Sequence, residues 1–550
     1  MKKAVATLCV AVSLVGCGGG GGGGGDGGSA AGTGGSGSNP PPSGGGTPPA
    51  SVTITVNSPP ANVQVPYGIP YSTEVAGNWS GTNLGSATVY LQVVDSNNTF
   101  AVPAVAAASG NTFRYTLGPG VGTLAGDRTG TLTVNACKDP ACAQRFDGPS
   151  GSVSYRVQIT PLGEWETVQR DASHTGYVPI IVDPTRLTKA WEWTFPQDPT
   201  AASSYVLRPA TGGGMMYAVG INRTSAQASF NQMFSSVDEA TGTLRWSQQI
   251  AGNVHVLGPA AYGGLAYVPT IGADRLLTAY DGTTGSMKFR YGQTTDPLAS
   301  TLAPTFHQTT AYFFGGHLGE ELHAVDAATG TLLWAKARRD YQNTTPAVDD
   351  SYIYYPSNRA LEILDRRTGN TVASITNPVS DSQHASAIVP MLGSRGNVIV
   401  NSYSATNRTA KLSSFDIAGL RWEWATQYSY NPLPALANGV IYATRSDGAP
   451  TLDAIDEVTG NVLWSWNPPA SDNQSRVVEN IAATKNLVFV STTGNIVGSG
   501  YVWAIDVNTR QAVWRYPANG YSVISGRGTL YILNGSPSLP ARKVIAIRLR

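Results

Sequence analysis

The sequence predicts an all-β protein in which an Ig-like β-sandwich precedes an eight-bladed β-propeller. Residues 51–161 contain short segments in which apolar and polar residues alternate between turn residues, a pattern typical of half-buried strands. After residue 161, a motif of the form Asp-x-x-Thr-Gly-x-x-x-Trp recurs, and the apolar strands that alternate with it end every 41 to 50 residues. A four-stranded repeat of that length is typical of a propeller blade.

The composition indicates an extracytoplasmic protein rich in β-structure. The chain has 550 residues, of which 63 are Gly and only 13% are charged. Its formal net charge is +1, and its Lys and Arg residues are scattered along the chain. The sequence therefore lacks the basic field that attracts nucleic acid, and we expect no nucleic-acid partner.

Residues 1–16 are predicted to be a signal peptide of the lipoprotein type. Lys2 and Lys3 provide a positive end, and the apolar stretch Ala4–Val15 is too short to span a bilayer. The stretch closes in "LVGC", which resembles the lipobox of bacterial lipoproteins. This resemblance implies that Cys17 takes a diacylglyceryl group and becomes the first residue after cleavage. The alternative is an ordinary secretory signal in which the cysteine occurs by chance.

Residues 17–50 are predicted to be a flexible tether that carries the lipid anchor. Gly18–Gly25 is an unbroken glycine run, and Gly, Ser, Thr and Pro dominate the rest, so this segment cannot bury a core. Gly18 stands where an Asp would favour the inner membrane of Gram-negative bacteria, so the lipobox resemblance implies the outer membrane. We expect an anchored envelope protein that faces either the periplasm or the cell surface.

Residues 51–161 are predicted to form about seven short strands, as in a β-sandwich of immunoglobulin type. Cys137 and Cys142, in "ACKDPACAQ", are close enough for a local disulfide in an oxidising compartment. A redox or metal-binding pair is the alternative for these two thiols, while Cys9 leaves with the signal peptide. We expect the sandwich to act as a spacer, with ligand binding as the alternative.

Residues 162–550 are predicted to form the propeller. Each copy of the motif begins with Asp, most copies have Gly four residues later, and six of seven have an aromatic residue eight residues after the Asp. The repeat residues are Asp238, Gly242, Trp246, Asp281, Gly285, Phe289, Asp326, Gly330, Trp334, Asp365, Gly369, Asp416, Trp424, Asp456, Gly460, Trp464, Asp506 and Trp514. The fourth copy has Ala373 at the aromatic position.

We interpret these repeat residues as architectural rather than catalytic. The Asp carboxylate can accept hydrogen bonds from the backbone N–H groups of the turn that follows it. The Gly supplies the positive φ that a tight hairpin requires. The aromatic side chain is expected to fill the space between adjacent blades, because a blade is a small sheet that cannot bury both faces alone.

The two ends of the repeat region predict how the ring closes. The eighth copy has its apolar strand and then "KVIAIRLR", but the strand that should carry the Trp is missing there. A strand of the right type lies at the other end of the region, in "LTKAWEWTFP" from Leu187 to Pro196. We therefore predict that this N-terminal strand completes the last blade.

The motif "AVDAATGTLLW" and its relatives resemble the repeat of the pyrroloquinoline quinone (PQQ)-like, or quinoprotein-type, β-propellers over residues 165–550. "WETVQRDASHTGYVP", from Trp165 to Pro179, is similar to the segment that opens such propellers. The resemblance implies one of two functions. Some members are dehydrogenases that carry PQQ and Ca²⁺, and others, such as the lipoprotein propeller of the outer-membrane β-barrel assembly machinery, bind proteins without a cofactor.

The sequence favours the cofactor-free branch. Residues 162–550 contain no cysteine, so the vicinal disulfide of several quinoproteins is missing, and there is no Cys-x-x-Cys-His for haem. No cluster of acids stands outside the repeat positions to serve as base or Ca²⁺ ligands. We predict no catalytic residue and no metal site, identify no cofactor-binding residue, and find no residue pattern that supports PQQ or Ca²⁺.

The expected function is therefore a non-enzymatic scaffold that binds envelope proteins at the outer membrane. The first alternative is a PQQ- and Ca²⁺-dependent dehydrogenase of alcohols or sugars. The second is a polysaccharide-binding surface protein that uses the propeller rim or the sandwich.

Three local features have a structural and a functional interpretation. The segment His317–His323 brings two His and two Glu together, but we expect a loop that leads into a strand. His174 is expected either to cap a turn at the start of the propeller or to line its central opening. The aromatic stretch Thr426–Pro432 could contact a carbohydrate, although a blade loop is the expected interpretation.

Overall fold

The structure is a computed structural model that describes residues 48–550 except 225–229, 252–257, 272–273, 297–300, 339–343, 358, 382–388, 473, 478–479, 495–499 and 535–541. The chain divides into two units, Met1–Pro49 and Ala50–Arg550. The predicted signal peptide, the lipidation site at Cys17 and nearly all of the predicted tether lie outside the described residues. In the part of the chain that is described, no helix is long and apolar enough to cross a membrane.

The first part of the larger unit is a β-sandwich of two sheets. Its strands are β1 (Ser51–Val56), β2 (Ala61–Pro66), β3 (Thr73–Thr82), β4 (Tyr90–Asp95), β5 (Ala106–Ala107), β6 (Thr112–Leu117), β7 (Gly126–Cys137) and β8 (Gly151–Thr160). One sheet has the order β1-β3-β6 and the other has the order β2-β8-β7-β4-β5. Alternate residues face inward, as the period-two pattern predicts, and the two inner faces form a common core.

Cys137, the last residue of β7, forms a disulfide with Cys142 in the connection to β8. Asp139 lies inside the closed loop, and its carboxylate accepts hydrogen bonds from the N–H groups of Ala141, Ala143 and Gln144. The bridge and the carboxylate together fix the hairpin connection at this end of the sandwich.

The second part is a ring of eight antiparallel sheets, the blades. It is preceded by a short 3-10 helix, Pro184–Arg186, and by strand β9 (Thr188–Thr194). The strands of blades 1 and 2 are β10 (Ala201–Val206), β11 (Ala210–Gly212), β12 (Met215–Thr224), β13 (Phe230–Asp238) and β14 (Leu244–Ile250), then β15 (Ala260–Tyr262), β16 (Leu265–Pro269), β17 (Arg275–Asp281) and β18 (Met287–Gln293). The strands of blades 3 and 4 are β19 (Thr305–His307), β20 (Thr310–Gly315), β21 (Glu321–Asp326) and β22 (Leu332–Ala337), then β23 (Ala347–Val348), β24 (Tyr352–Ser357), β25 (Ala360–Asp365) and β26 (Thr371–Thr376).

Blades 5 to 8 continue the same four-stranded meander. The strands of blades 5 and 6 are β27 (Met391–Leu392), β28 (Asn397–Ser404), β29 (Thr409–Asp416) and β30 (Arg421–Ala425), then β31 (Ala435–Ala437), β32 (Val440–Thr444), β33 (Leu452–Asp456) and β34 (Val462–Trp466). A second 3-10 helix, Ala470–Asp472, leads into blade 7. The strands of blades 7 and 8 are β35 (Gln474–Val477), β36 (Ala482–Ala483), β37 (Leu487–Gly494), β38 (Gly500–Asp506) and β39 (Ala512–Tyr516), then β40 (Ser522–Ile524), β41 (Thr529–Asn534) and β42 (Lys543–Arg548).

The ring closes by strand exchange between the two ends of the propeller. Strand β9 pairs antiparallel with β42, so the order of blade 8 is β40-β41-β42-β9. The prediction that Leu187–Pro196 supplies the missing strand is confirmed. The first strands of neighbouring blades contact one another, as β11 contacts β15 and β36 contacts β40, which places them around the axis of the ring.

Because the strands of each blade are antiparallel, their connections alternate between two faces of the ring. One face, here called the turn face, carries the hairpins between the first and second strands and the Asp-Thr-Gly turns between the third and fourth. The other, the loop face, carries the connections between the second and third strands and those between blades.

The repeat Asp organises each turn on the turn face. Its Oδ1 accepts a hydrogen bond from the backbone N–H three residues later in all seven copies, at 2.8–3.0 Å. The hydroxyl of Thr284, for example, donates to the same oxygen of Asp281. These donors, led by the Thr284 N–H, lower the pKa of Asp281 to about 2.

The repeat Gly is required by an aromatic ring of the preceding blade as well as by its backbone. All five repeat Gly residues have φ of 71–74°. A Cβ at any of them would lie only 2.3–2.6 Å from a ring atom of the preceding blade. The pairs are Gly242 with Trp191, Gly285 with Trp246, Gly330 with Phe289, Gly369 with Trp334 and Gly460 with Trp424. The aromatic residue therefore fills the space between blades, as the sequence predicts.

The exceptional fourth copy supports this account. Ala373 of blade 4 provides no ring, and the Gly position of the following turn is occupied by Leu420, with φ of 50°. Blade 7 differs, because Arg510 takes the Gly position with φ of 61° although Trp464 of blade 6 is aromatic. Positive φ is thus tolerated by other residues, and the Arg510 turn shows that an aromatic residue in the preceding blade does not always require Gly.

Gly369→Ala is expected to destabilise the protein by about 3 kcal/mol, which combines the cost of positive φ with overlap against Trp334. The matched control is Gly263→Ala, since Gly263 also has positive φ but has open space where a Cβ would lie. The control should cost only about 1 kcal/mol. Thermal unfolding of both variants measures the difference. Equal losses would show that the ring contributes nothing to the requirement for Gly.

Candidate functional site

The axis of the propeller is occupied by the segment Trp165–Val178, here called the axial segment. It lies between the last strand of the sandwich and β9, and it runs once around the inside of the ring. Its backbone bonds to the first strands or adjoining turns of successive blades rather than forming a strand of its own. The bonded pairs, including the preceding Leu162, are Leu162 with Gly526, Trp165 with Thr211, Glu166 with Ala261, Ala172 with Val348, Ser173 with Leu392, Thr175 with Leu436 and Gly176 with Ala483.

Gln169 is the polar centre of this arrangement. Gln169 and Arg170 form a tight turn with φ of 53° and 90°, which directs the Gln169 side chain into the ring. Its Nε2 donates to the carbonyl oxygens of Leu433 and Pro434 at 3.1 and 2.6 Å. Its Oε1 accepts from Asn480 Nδ2 at 2.6 Å. One amide thereby links blades 6 and 7 across the axis.

His174 makes the corresponding links to blades 3 and 4. Its Nδ1 lies 2.5 Å from the carbonyl oxygen of Val168, and its Nε2 lies 3.1 Å from Thr305 Oγ1 and 3.0 Å from the Pro346 carbonyl oxygen. Burial lowers the pKa of this fully enclosed imidazole. His174 thus stabilises the turn of the axial segment, the first of its two expected roles, and its buried ring does not line an open channel.

An apolar contact seals the axis. Val168 is buried in a cluster that includes Leu302, Ala303, Val389 and Leu433. Leu433 has φ of 68°, so its side chain reaches the axis from a backbone conformation that is uncommon for a branched residue. The axial segment therefore fills the centre of the ring at this level with buried apolar side chains.

Glu166 is the most perturbed carboxyl group of the axial segment. Burial, followed by the negative charge of Asp171, raises its pKa to about 8. Its backbone N–H donates to the carbonyl oxygen of Arg170, and its own carbonyl accepts from Ala261, so the residue is held in place by its main chain. A half-buried carboxyl group that remains protonated near neutral pH is unusual, and it marks this part of the axis as a candidate site.

The described residues do not fit a quinone–calcium centre. Within them, no three His, Cys, Asp or Glu side chains come together in a way that could hold a metal ion. The aromatic side chains of the repeat are engaged between blades rather than free to stack on a cofactor.

A small cavity lies between blades 1 and 2, near the loop face. Its volume is about 160 Å³, below the roughly 300–1,000 Å³ of typical small-molecule sites. Its lining is mixed, and the lining residues are Gln249, Ile250, Ala251, Thr270, Asp274, Arg275, Thr278, Tyr280, Met287 and Arg290. Asp274 already forms ion pairs with Arg275 and Arg290, so these charges largely satisfy one another.

The other predicted local features are not brought into one site. His323 is buried in β21, where its Nδ1 lies 2.9 Å from the Tyr291 hydroxyl and its ring stacks on Phe313. His317 lies in the preceding turn and pairs with Asp296 at 2.6 Å. In the stretch Thr426–Pro432, Tyr430 is buried and donates to Asp453. These contacts are those of blade loops and strands, as expected.

The sequence comparison gives the family. Residues 175–402 and 357–547 match the family model described as outer membrane protein assembly factor BamB. The chain belongs to this family. It therefore is a PQQ-like β-propeller repeat protein, as the motif resemblance implies. No curated protein matches the chain in sequence.

Solved structures of two dehydrogenases share the fold, and a BamB structure is also similar. BamB from Moraxella catarrhalis has 17% identity and a TM-score of 0.47, covering 66% of this chain and 99% of that chain. A europium-containing methanol dehydrogenase has 11% identity and a TM-score of 0.50, covering 70% and 98%. Quinohemoprotein alcohol dehydrogenase from Comamonas testosteroni has 13% identity and a TM-score of 0.50, covering 70% and 80%. At these identities the likeness concerns the fold alone.

Glu166→Gln is expected to flatten the pH dependence of stability in this member of the BamB family. Between pH 4.5 and about 8 the unfolded chain has released the Glu166 proton while the folded chain keeps it, so the native protein loses stability as pH rises through that window. Gln lacks this titration. Thermal unfolding midpoints across the window measure the effect.

The matched control is Glu74→Gln, because Glu74 is a surface carboxyl group, 44% exposed, in an ion pair of the sandwich. This variant should keep the slope of the wild-type protein. An unchanged slope in Glu166→Gln would show that Glu166 is ionised in the folded state.

Proposed function

We propose that this protein is a lipid-anchored envelope protein of the outer membrane whose propeller binds other envelope proteins and has no enzymatic role. The observation that carries the proposal is the match of residues 175–547 to the family described as outer membrane protein assembly factor BamB. That description names an assembly factor rather than an oxidoreductase. The proposed anchor is Cys17, which the "LVGC" motif provides.

The geometry of the propeller supports a binding role. The axial segment bonds to successive blades around the ring and seals the channel with Val168. Because the axial segment bonds to most of the blades, we expect the blades to keep fixed positions, so that the faces and the outer strands of the ring are rigid surfaces. Several apolar side chains on the outer strands are exposed by about half, among them Leu333 at 54% and Leu463 at 50%, so the outer strands offer apolar contact points to a partner.

We also propose that the protein functions without bound PQQ or Ca²⁺. The propeller sequence contains no cysteine for a vicinal disulfide, and the described residues lack the acidic cluster that would hold a metal. A fluorescence titration of the purified protein with PQQ, with and without Ca²⁺, distinguishes a cofactor-free binding protein from a quinoprotein dehydrogenase. Eleven of the twelve Trp residues lie in the propeller region, so a ligand in the funnel would quench several of them.

We expect no saturable change in Trp fluorescence in this titration. Saturable, Ca²⁺-dependent quenching at micromolar PQQ or below would overturn the proposal and favour a quinoprotein dehydrogenase. A free-tryptophan sample carried through the same titration controls for absorption by PQQ itself.

The binding role is tested by crosslinking in cells. A photoreactive residue at Leu333 or Leu463 is expected to give a discrete adduct with an envelope protein. The same residue at Val94 of the sandwich, which is 38% exposed, serves as the matched position, and an unrelated lipoprotein serves as the background. If neither propeller position gives an adduct above that background, the scaffold role is wrong.

The anchor is tested independently by metabolic labelling with a palmitate analogue. The wild-type protein is expected to be labelled and to sediment with outer membranes. Cys17→Ser should lose both properties, because it lacks the thiol that carries the lipid. A labelled Cys17→Ser protein would place the acyl group on another residue.

A further inference from the structure

The sandwich and the propeller are joined by a continuous hydrophobic core. One buried cluster includes Val134 and Val157 of the sandwich, Val178 of the axial segment, and Leu530 and Val544 of blade 8. A flexible linker between two independent domains would leave a polar seam, and the apolar continuity instead fixes the sandwich on the propeller.

The sandwich contacts the hairpin between β40 and β41 on the turn face. Arg527 and Ala125 exchange hydrogen bonds: the Ala125 N–H donates to the Arg527 carbonyl at 3.1 Å, and Arg527 Nε donates to the Ala125 carbonyl at 3.0 Å. The Tyr67 ring lies against Gly528, where a Cβ would come within 2.0 Å of it. Tyr67 and Ala125 are both buried. The sandwich therefore covers this hairpin closely.

The sandwich also holds the chain just beyond β42. The Arg550 guanidinium lies over the rings of Tyr67 and Tyr71, at 5.8 and 5.4 Å from their centroids. Arg550 Nη2 donates to the Ile69 carbonyl at 2.6 Å, and the Gly122 N–H donates to the Arg550 carbonyl. Cation–π contacts and hydrogen bonds thus attach the end of β42 to two loops of the sandwich.

These contacts lie beside the junction of blade 8 with blade 1, here called the seam, which the chain crosses from β9 to β10. Across that seam Arg548 Nη2 donates to the Glu239 and Ala240 carbonyls at 2.9 and 2.8 Å. The Ser525 hydroxyl donates to the buried Glu239 carboxylate. Trp191 of β9 donates its indole N–H to the Glu239 carbonyl at 2.9 Å. Both strands that close the ring, β42 and β9, therefore meet blade 1 at Glu239.

Arg527 connects the two sets of contacts. While its Nε bonds to the sandwich, its Nη1 lies where a Cβ of Gly214, in the first hairpin of blade 1, would be. Glu164, on the chain that leaves the sandwich, spans the same seam: it accepts from the Thr211 hydroxyl of blade 1 at 2.7 Å and from the Gly526 N–H of blade 8 at 2.9 Å.

We infer that the sandwich is a clamp that holds the propeller ring closed, and not a spacer attached to its end. It contacts the last blade at Arg527, Gly528 and Arg550, next to the pairing of β9 with β42 that closes the ring. The ring opens most readily between β42 and β9, because blade 8 is assembled from both ends of the propeller and these two strands are joined by pairing alone. The sandwich places its buried contacts at that junction.

Hydrogen exchange of the full-length protein tests the clamp. In Arg550→Ala, amide exchange in β9 is expected to accelerate by about tenfold, the effect of losing about 1.4 kcal/mol of closure. Exchange in β25 and β33, in blades 4 and 6 away from the seam, should stay unchanged. The matched control is Arg114→Ala, which removes a surface arginine of the sandwich, 73% exposed, from its ion pair with Glu74. It should leave β9 protected.

A second variant approaches the junction from the sandwich side. Tyr67→Leu keeps an apolar side chain but removes the ring under Arg550 and the hydrogen bond to Gly528. It should accelerate exchange in β9 while β7, in the sandwich core, stays protected. If β9 exchanges at the wild-type rate in both variants, the sandwich does not support ring closure and the inference is wrong. Faster exchange in β7 alone would show that the sandwich is a separate folding unit.

Discussion

The contact of one aromatic ring with one glycine is the interaction on which this propeller depends. A four-stranded blade has two apolar faces and cannot bury either without a neighbour. At five of the eight junctions, the ring of an outer strand covers the next blade at a turn whose Gly leaves room for it, so one blade completes the burial of another. Gly242 with Trp191 shows that the same contact also joins the last blade to the first, because Trp191 belongs to β9.

A closed ring adds a second constraint, since the last blade must also pack against the first. The chain meets this constraint in three places: β9 pairs with β42, the axial segment bonds to the blades from inside, and the sandwich grips blade 8 from the turn face. All three devices come from residues that precede the first complete blade. The N-terminal part of the chain is therefore structurally inseparable from the C-terminal blade.

Much of this architecture could be predicted from the sequence, because it depends on short-range patterns. The Asp-to-aromatic spacing of eight residues identifies a turn and the strand after it, and the missing strand at the end points to Leu187–Pro196. The disulfide of Cys137 with Cys142 needs only local proximity. The fourth copy of the motif has Ala373 in place of the aromatic residue, and the Gly position of the next turn is then occupied by Leu420.

The axial site could not be predicted in the same way. Gln169 and Glu166 stand in a segment with no periodicity, and their partners at Leu433, Asn480 and Asp171 come from blades that are far apart in sequence or from the same turn. Their roles depend on burial at the axis, which the local pattern does not encode. The contact of the sandwich with the end of blade 8 could not be predicted for a related reason: Arg550 and Tyr67 are separated by almost the whole folded chain, and neither lies in a recognisable motif.

The position of Ser51 has a mechanical consequence. Ser51 pairs with Thr82 at the end of the sandwich opposite the propeller, while β1 runs from there toward the end that holds Gly77 opposite Val56. A pull on the chain before Ser51, resisted at the propeller, is directed along β1. The hydrogen bonds between β1 and β3 are perpendicular to that direction, so they share the load in shear instead of breaking one at a time.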